Sequence, residues 1–235
     1  MKHKTLKLAI AAALAFLVGF LSSSRSAPAQ QRFDLKVRND FFVGFAGDKD
    51  ALARGMKACD EVLAADPKNA EAMVWHGSGV LAEAQGLFAS GEMEKAFPVW
   101  MRGLAEMQAA VDLAPDNVAV RIPRGAVLLT ASHYIPDPGI APPLIADGVA
   151  DYQRAYDVQK EYFATLGSHP RGELLFGLAE GYSRLGEQEK AAAYFDEIVR
   201  TLPQTAYAKR AAAWKESKSL PVEQTGCVGC HVSKQ

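Results

Sequence analysis

Two thiols and an imidazole stand together in "GCVGCHVSKQ", residues 226–235. Two residues separate Cys227 from Cys230, and His231 follows at once. Cysteine thiolates are nucleophiles and soft metal ligands, and neutral imidazole is a metal ligand. A bare C-x-x-C could serve as a redox dithiol, as half of a zinc site or as a local disulfide. Thioredoxin-like use calls for a strand before the motif and a helix after it, and only four residues follow His231. A zinc site needs two further ligands with their own spacing, and none stands nearby.

A fourth use requires the histidine as well. Two thiols at this spacing can reach both vinyl groups on one edge of a haem and form thioethers. The next residue then turns under the macrocycle and offers its imidazole to the iron. With five histidines in the chain, chance puts one directly after the second cysteine about one time in fifty. Gly226 and Gly229 give the backbone freedom to curl. The stretch resembles the attachment motif of c-type cytochromes over these five residues. That resemblance implies one covalent haem c, with Cys227 and Cys230 as anchors and His231 as the proximal iron ligand. The redox pair and the disulfide stay open beside it.

Compartment comes from the other end. "MKHKTLKLAIAAALAFLVGFLSSSRSAPAQ" opens with Lys2, Lys4 and Lys7, runs apolar from Leu8 to Leu21, and reaches Ala27-Pro28-Ala29. A basic start, a short apolar core and an A-x-A site read as a secretory signal peptide over residues 1–29. The apolar run is shorter than the roughly 18–20 residues of a spanning helix, so no integral span is expected after cleavage. No cysteine follows it to carry a lipid. The expected location is the bacterial periplasm or the exterior, where covalent haem is fitted. Cleavage removes four cations and no anions, taking the formal charge from −1 to −5. That mildly acidic chain has no basic footprint for nucleic acid.

Abundant alanine and scarce β-branched alternation predict an all-α body. In "LLFGLAEGYSRLGEQEKAAAYFDEIVRTLP", residues 174–203, Leu175, Leu178, Ala179 and Tyr182 share one helix face. Gly186 makes the turn, Ala191, Phe195 and Ile198 line a second helix, and Pro203 closes it. These positions resemble the tetratricopeptide-repeat (TPR) pattern W-x-x-L-G-x-x-Y…A-x-x-x-F…P, with Leu175 for tryptophan and Ala179 for glycine. Weaker copies follow the same order: Pro67, Asn69, Gly77, Val80, Gly91, Ala96 and Trp100, then Pro115, Asn117 and Gly125. The two Pro-x-Asn starts are 48 residues apart, against 34 in the family, so longer helices are expected. An earlier helix ends at Pro67, and "TAYAKRAAAWKESK" reads as a capping helix with Trp214 inward.

The resemblance implies an antiparallel helix-pair solenoid over residues 48–218, with its best repeat at 172–205. An extended haem-binding tail follows over 219–235. "HYIPDPGIAPPLIADG", with Pro136, Pro138, Pro142 and Pro143, reads as a loop between helices near 121–133 and 147–166. Cys59 reads as a small buried hydrophobe.

A self-contained cytochrome c wraps its haem with the residues after the motif, so here the far side of the haem falls to the repeats, a partner or solvent. His133 and His169 are the preferred sixth-ligand candidates. His76 and Met56, Met73, Met93, Met101 and Met107 are weaker, because each fits a packing role. An extended tail from Ser219 to His231 reaches roughly 40 Å, which excludes almost nothing.

The chain carries no hydrolase motif, no metal-ligand pair at i, i+4 and no phosphate loop, and Glu83, Glu92 and Glu94 read as a solvated face. The expected function is therefore not enzymatic: electron transfer by one haem c with a docked protein redox partner. The alternative is an interaction scaffold whose haem is structural or sensory, or whose C-x-x-C is a redox disulfide.

Overall fold

Side-chain caps fix where four of the helices begin. Asp48, Asn69, Asn117 and Thr205 accept from the backbone N–H of Ala51, Ala72, Ala119 and Ala208, satisfying donors that a helix start leaves open. The computed structural model describes residues 32–135 and 137–218. Among them are nine α-helices, two short 3-10 turns and no strand. In order the helices are α1 (Asp34–Phe45), α2 (Lys49–Ala65), α3 (Ala70–Ala89), α4 (Met93–Leu113) and α5 (Val118–Ala131), then α6 (Ala141–Gln159), α7 (Ser168–Arg184), α8 (Gln188–Thr201) and α9 (Ala206–Ser217). The expected all-α class stands.

Neighbours in sequence are neighbours in space. Each helix packs against the next, and the odd-numbered helices also touch in series: α1 with α3, α3 with α5, α5 with α7, and α7 with α9. Glu71 ties three of these starts together. Its carboxylate accepts from the Phe33 backbone N–H at 3.2 Å and from Asn117 Nδ2 at 3.3 Å.

Two apolar clusters divide along α5. Leu128 belongs to one with Phe41, Trp75, Trp100 and Met107, while Leu129 belongs to the other with Leu175, Phe195 and Trp214. Adjacent residues on a helix point about 100° apart, so one helix can serve both.

Three short turns carry glycine at positive φ: Gly47 (112°), Gly91 (78°) and Gly186 (80°). That backbone region penalises any Cβ. In the expected best repeat, Leu175, Leu178, Ala179, Ala191, Phe195 and Ile198 are all fully buried and Tyr182 nearly so. The long-helix expectation also holds, since α3 and α4 run 20 and 21 residues.

Two expectations need correction. The helical body starts before residue 48: α1 buries Val37 and Phe41 completely, with Phe41 against Trp75 at 5.2 Å between ring centroids. The second half of the Pro-rich stretch, from Ala141 on, is helix start rather than loop. α6 begins at Ala141 and takes Pro142 and Pro143 into its first turn, where missing N–H groups cost nothing. Asp137 forms the connection, its side chain accepting from Gly139 N at 2.7 Å and its carbonyl from Ile140 and Ala141.

Candidate functional site

Cys227, Cys230 and His231 lie outside the described residues, as does the expected signal peptide. What the structure contributes is the setting of the side chains that could meet a haem from the far side. Their chemistry is decided by exposure and by what already holds each ring nitrogen.

His76 is committed on both sides. Its Nδ1 is 2.6 Å from Glu106 Oε1 on α4, and its Nε2 is 3.3 Å from Asp60 Oδ1 on α2. The hydrogen bond to Glu106 is the largest influence and raises its pKa, against the opposing pull of burial. The ring pins three helices together.

His133 sits in the 3-10 turn Ser132–Tyr134 after α5, with only 12% of its side chain exposed. Its Nε2 is 3.0 Å from Glu180 Oε1 on α7. Arg184 completes the cluster. Its Nη1 donates to the Leu129 carbonyl at 2.9 Å and lies 3.3 Å from Glu180, while Nη2 donates to Ser132 Oγ at 2.8 Å. The last carbonyls of a helix lack intrahelical donors, so Arg184 closes the end of α5 from α7. His133 is part of that closure.

His169 differs. It lies in the first turn of α7 with 51% of its side chain exposed. Nδ1 is 3.1 Å from Tyr207 Oη on α9, and Nε2 stands 3.6 Å from Glu173 Oε2. Tyr207 is buried, and its ring fills a slot that α7 opens at Gly172. A Cβ on Gly172 would fall 2.2 Å from that ring, so only glycine leaves the tyrosine this place. Arg210 lies over both Tyr207 and Phe176, 5.1 and 4.3 Å from the ring centroids.

The methionines split into two groups. Met107 is fully buried, and Met56 and Met73 pack beside the first cluster. Met93 and Met101 are 53% and 60% exposed, with Phe97 between them at 52%. The three recur every four residues along α4 and make one apolar stripe.

A buried ion group lies between α5 and α6. Asp151, fully buried, takes Arg121 Nη1 at 2.6 Å, and Arg124 Nε lies 3.2 Å from its other oxygen without a hydrogen bond's geometry. Burial pushes the carboxyl up, against the pull of Arg124 and Arg121. Sequence reading missed this group; the one signal for it was a charged residue on an otherwise apolar helix face.

Among the described residues no three His, Cys, Asp or Glu side chains converge to hold a metal ion. No helix among them is long and apolar enough to cross a membrane. No protein-family model, no curated protein and no solved structure matches this chain.

Proposed function

We propose that this is an exported helical-repeat protein that carries one covalent haem c and passes electrons to or from a docked protein partner. The observation that carries the reading is the run Cys227-Val228-Gly229-Cys230-His231. In it Cys227 and Cys230 hold the haem edge through thioethers, and His231 gives a nitrogen to the iron. The haem supplies a one-electron couple when bound. The signal-like segment over residues 1–29 supports export, and export supports haem attachment.

The body is read as a TPR-like solenoid. Two features support it: helices that pack in sequence order with their odd members in series, and two glycine turns, Gly91 and Gly186, at matching offsets. In such a stack each pair leaves an apolar face that its neighbour covers. The body's part is then to present a surface to the partner.

Haem staining after denaturing electrophoresis tests the reading, using protein exported from a host able to mature c-type cytochromes. Wild type should stain, each single Cys227→Ala or Cys230→Ala variant should lose most of the stain, and the double variant all of it. A wild-type protein without covalent haem ends the reading, and a Cys227–Cys230 disulfide in that sample establishes the redox pair.

One observation favours the scaffold reading as a second: the exposed Met93, Phe97 and Met101 stripe on α4 suits a protein partner's apolar face. Electron transfer also needs docking, so a measured reduction potential matched to a donor is what separates the two.

A further inference from the structure

We propose that the apolar stripe on α4 is a self-association face, where a second copy of this chain lays its own α4 antiparallel to the first. The proposal is independent of the haem reading, because every residue it uses lies in the helical body.

Three observations lead there. The first is concentration. Met93, Phe97 and Met101 are each more than half exposed and follow one another at four-residue steps on one helix row. Among the described residues no other helix row carries three large exposed apolar side chains; Leu35 and Val43 on α1 are separated by Asn39. Single exposed apolar residues are ordinary, whereas a contiguous row marks a surface that is covered. The second is readiness. Phe97 meets Phe88 of α3 edge-on at 5.3 Å between ring centroids, and Phe88 meets Trp100 at 6.2 Å. An aromatic ring held before binding loses little freedom on docking, and the flexible methionines on either side can adapt to what they meet.

The third observation is charge, and it selects the occupant. Glu94, Pro98 and Arg102 form the next row of the same helix, and all three are exposed. Glu94 has no ion-pair partner among the described residues. Arg102 lies 3.9 Å from Glu83, with the two side chains 62% and 49% exposed. A pair so long and so exposed contributes little. A two-fold axis through Phe97 sets Met93 against the partner's Met101. Glu94 stands three residues before Phe97 and Arg102 five after, so the same axis brings Glu94 to within about 3 Å, along the helix, of the partner's Arg102. That operation keeps the charged flanks on one side, so the pair forms twice. A parallel pairing would put the flanks on opposite sides and form neither. The row is thus complementary to itself in one orientation, as a two-fold interface requires.

The test uses the full exported chain, prepared with and without haem, and reads its mass by sedimentation equilibrium over a dilution series. Wild type should approach twice the monomer mass when concentrated and return to the monomer on dilution, alike in both preparations. Phe97→Asp should weaken the dimer about 100-fold or more. Leu113→Ser, at an exposed apolar residue of α4 outside the stripe, should leave it unchanged. Glu94→Arg and Arg102→Glu should each weaken it about 3–10-fold, and the two together should restore it. Circular dichroism reports whether the helices survive, and Met93→Gln with Met101→Gln replaces Phe97→Asp if that variant unfolds. A wild type still monomeric at about 1 mM overturns the proposal. So does a dimer that survives the folded stripe variant, since another face then holds it. Single reversals that weaken the dimer without rescue by the pair overturn the antiparallel arrangement and the proposal with it. Protein that dimerises but carries no covalent haem removes the haem reading alone.

Discussion

The hairpins α3/α4 and α7/α8 share a frame and fill it differently. In both, a turn glycine (Gly91, Gly186) is followed five residues on by a buried alanine (Ala96, Ala191) and nine residues on by a large aromatic (Trp100, Phe195). Fourteen residues before each turn glycine stands another glycine, Gly77 or Gly172. Twelve residues after it the two part company: Gly103 in α4, Ile198 in α8. A Cβ on Gly103 would lie 2.9 Å from the Gly77 carbonyl oxygen, so these helices meet backbone to backbone. Ile198 instead fills the gap with a side chain, and the slot at Gly172 is taken by Tyr207 of the next helix. The first glycine of each hairpin thus faces a different neighbour: Gly103 and Met107 of its own hairpin in one, which is closed, and Tyr207 of the next helix in the other, which is open.

The largest expected effect lies in the open hairpin. Phe195 is fully buried between Phe176 and Trp214, whose rings lie 5.7 and 4.4 Å away. Phe195→Ala should cost about 3–5 kcal/mol by chemical denaturation, through lost burial and an unfilled cavity. It should also loosen α9, which the corresponding change in the closed hairpin should not do.

Closure itself comes next. Gly103→Ala puts a methyl 2.6 Å from Leu81 Cδ1 and 2.9 Å from the Gly77 carbonyl, and should destabilise by about 1–3 kcal/mol. Ile198→Ala makes a cavity instead, so the two changes should be additive in a denaturation cycle. Strong coupling between them would break the view that the hairpins are independent units.

The shared frame should respond alike in both. Gly91→Ala and Gly186→Ala each force a Cβ into left-handed backbone, with nothing crowding either site, and each should cost about 1 kcal/mol. Unequal losses would mean the turns are not equivalent.

The smallest effect separates the hairpins by pH. His76, in the closed one, has a pKa raised by its hydrogen bond to Glu106. A raised histidine pKa adds stability that is complete below its unfolded value of about 6.5 and fades as pH rises through the folded value. Unfolding free energy should thus decline on the alkaline side of pH 6.5, and His76→Gln should flatten that decline.

Local pattern explains which parts were legible in the sequence. The α7/α8 hairpin could be read because its small and large residues fall at fixed offsets and Gly186 marks the turn. α1 escaped because charges interrupt "DLKVRNDFFVGF", and Val37 and Phe41 are buried by helices that come later in the chain. Pro142 and Pro143 misled because proline stops a helix in its interior but suits its first turn. Pro98 and Pro123, inside α4 and α5, show that even the interior rule yields to packing. The motif at 227–231 is wholly a matter of sequence. The setting of His169 is not, since it depends on Tyr207, 38 residues away, and on Gly172 making room for it.

Cys59, fully buried in α2, has a consequence for how the chain could mature in an oxidising compartment. Burial, with Asp60 and Glu106 nearby, pushes its thiol up to about 12. At neutral pH only about one molecule in 10⁵ then carries the thiolate that attacks disulfides. Once the helices have closed over it, Cys59 is kinetically silent in thiol exchange. If the chain is exported as proposed, that burial would keep Cys59 from pairing with Cys227 or Cys230, and folding order would become a safeguard against mispairing.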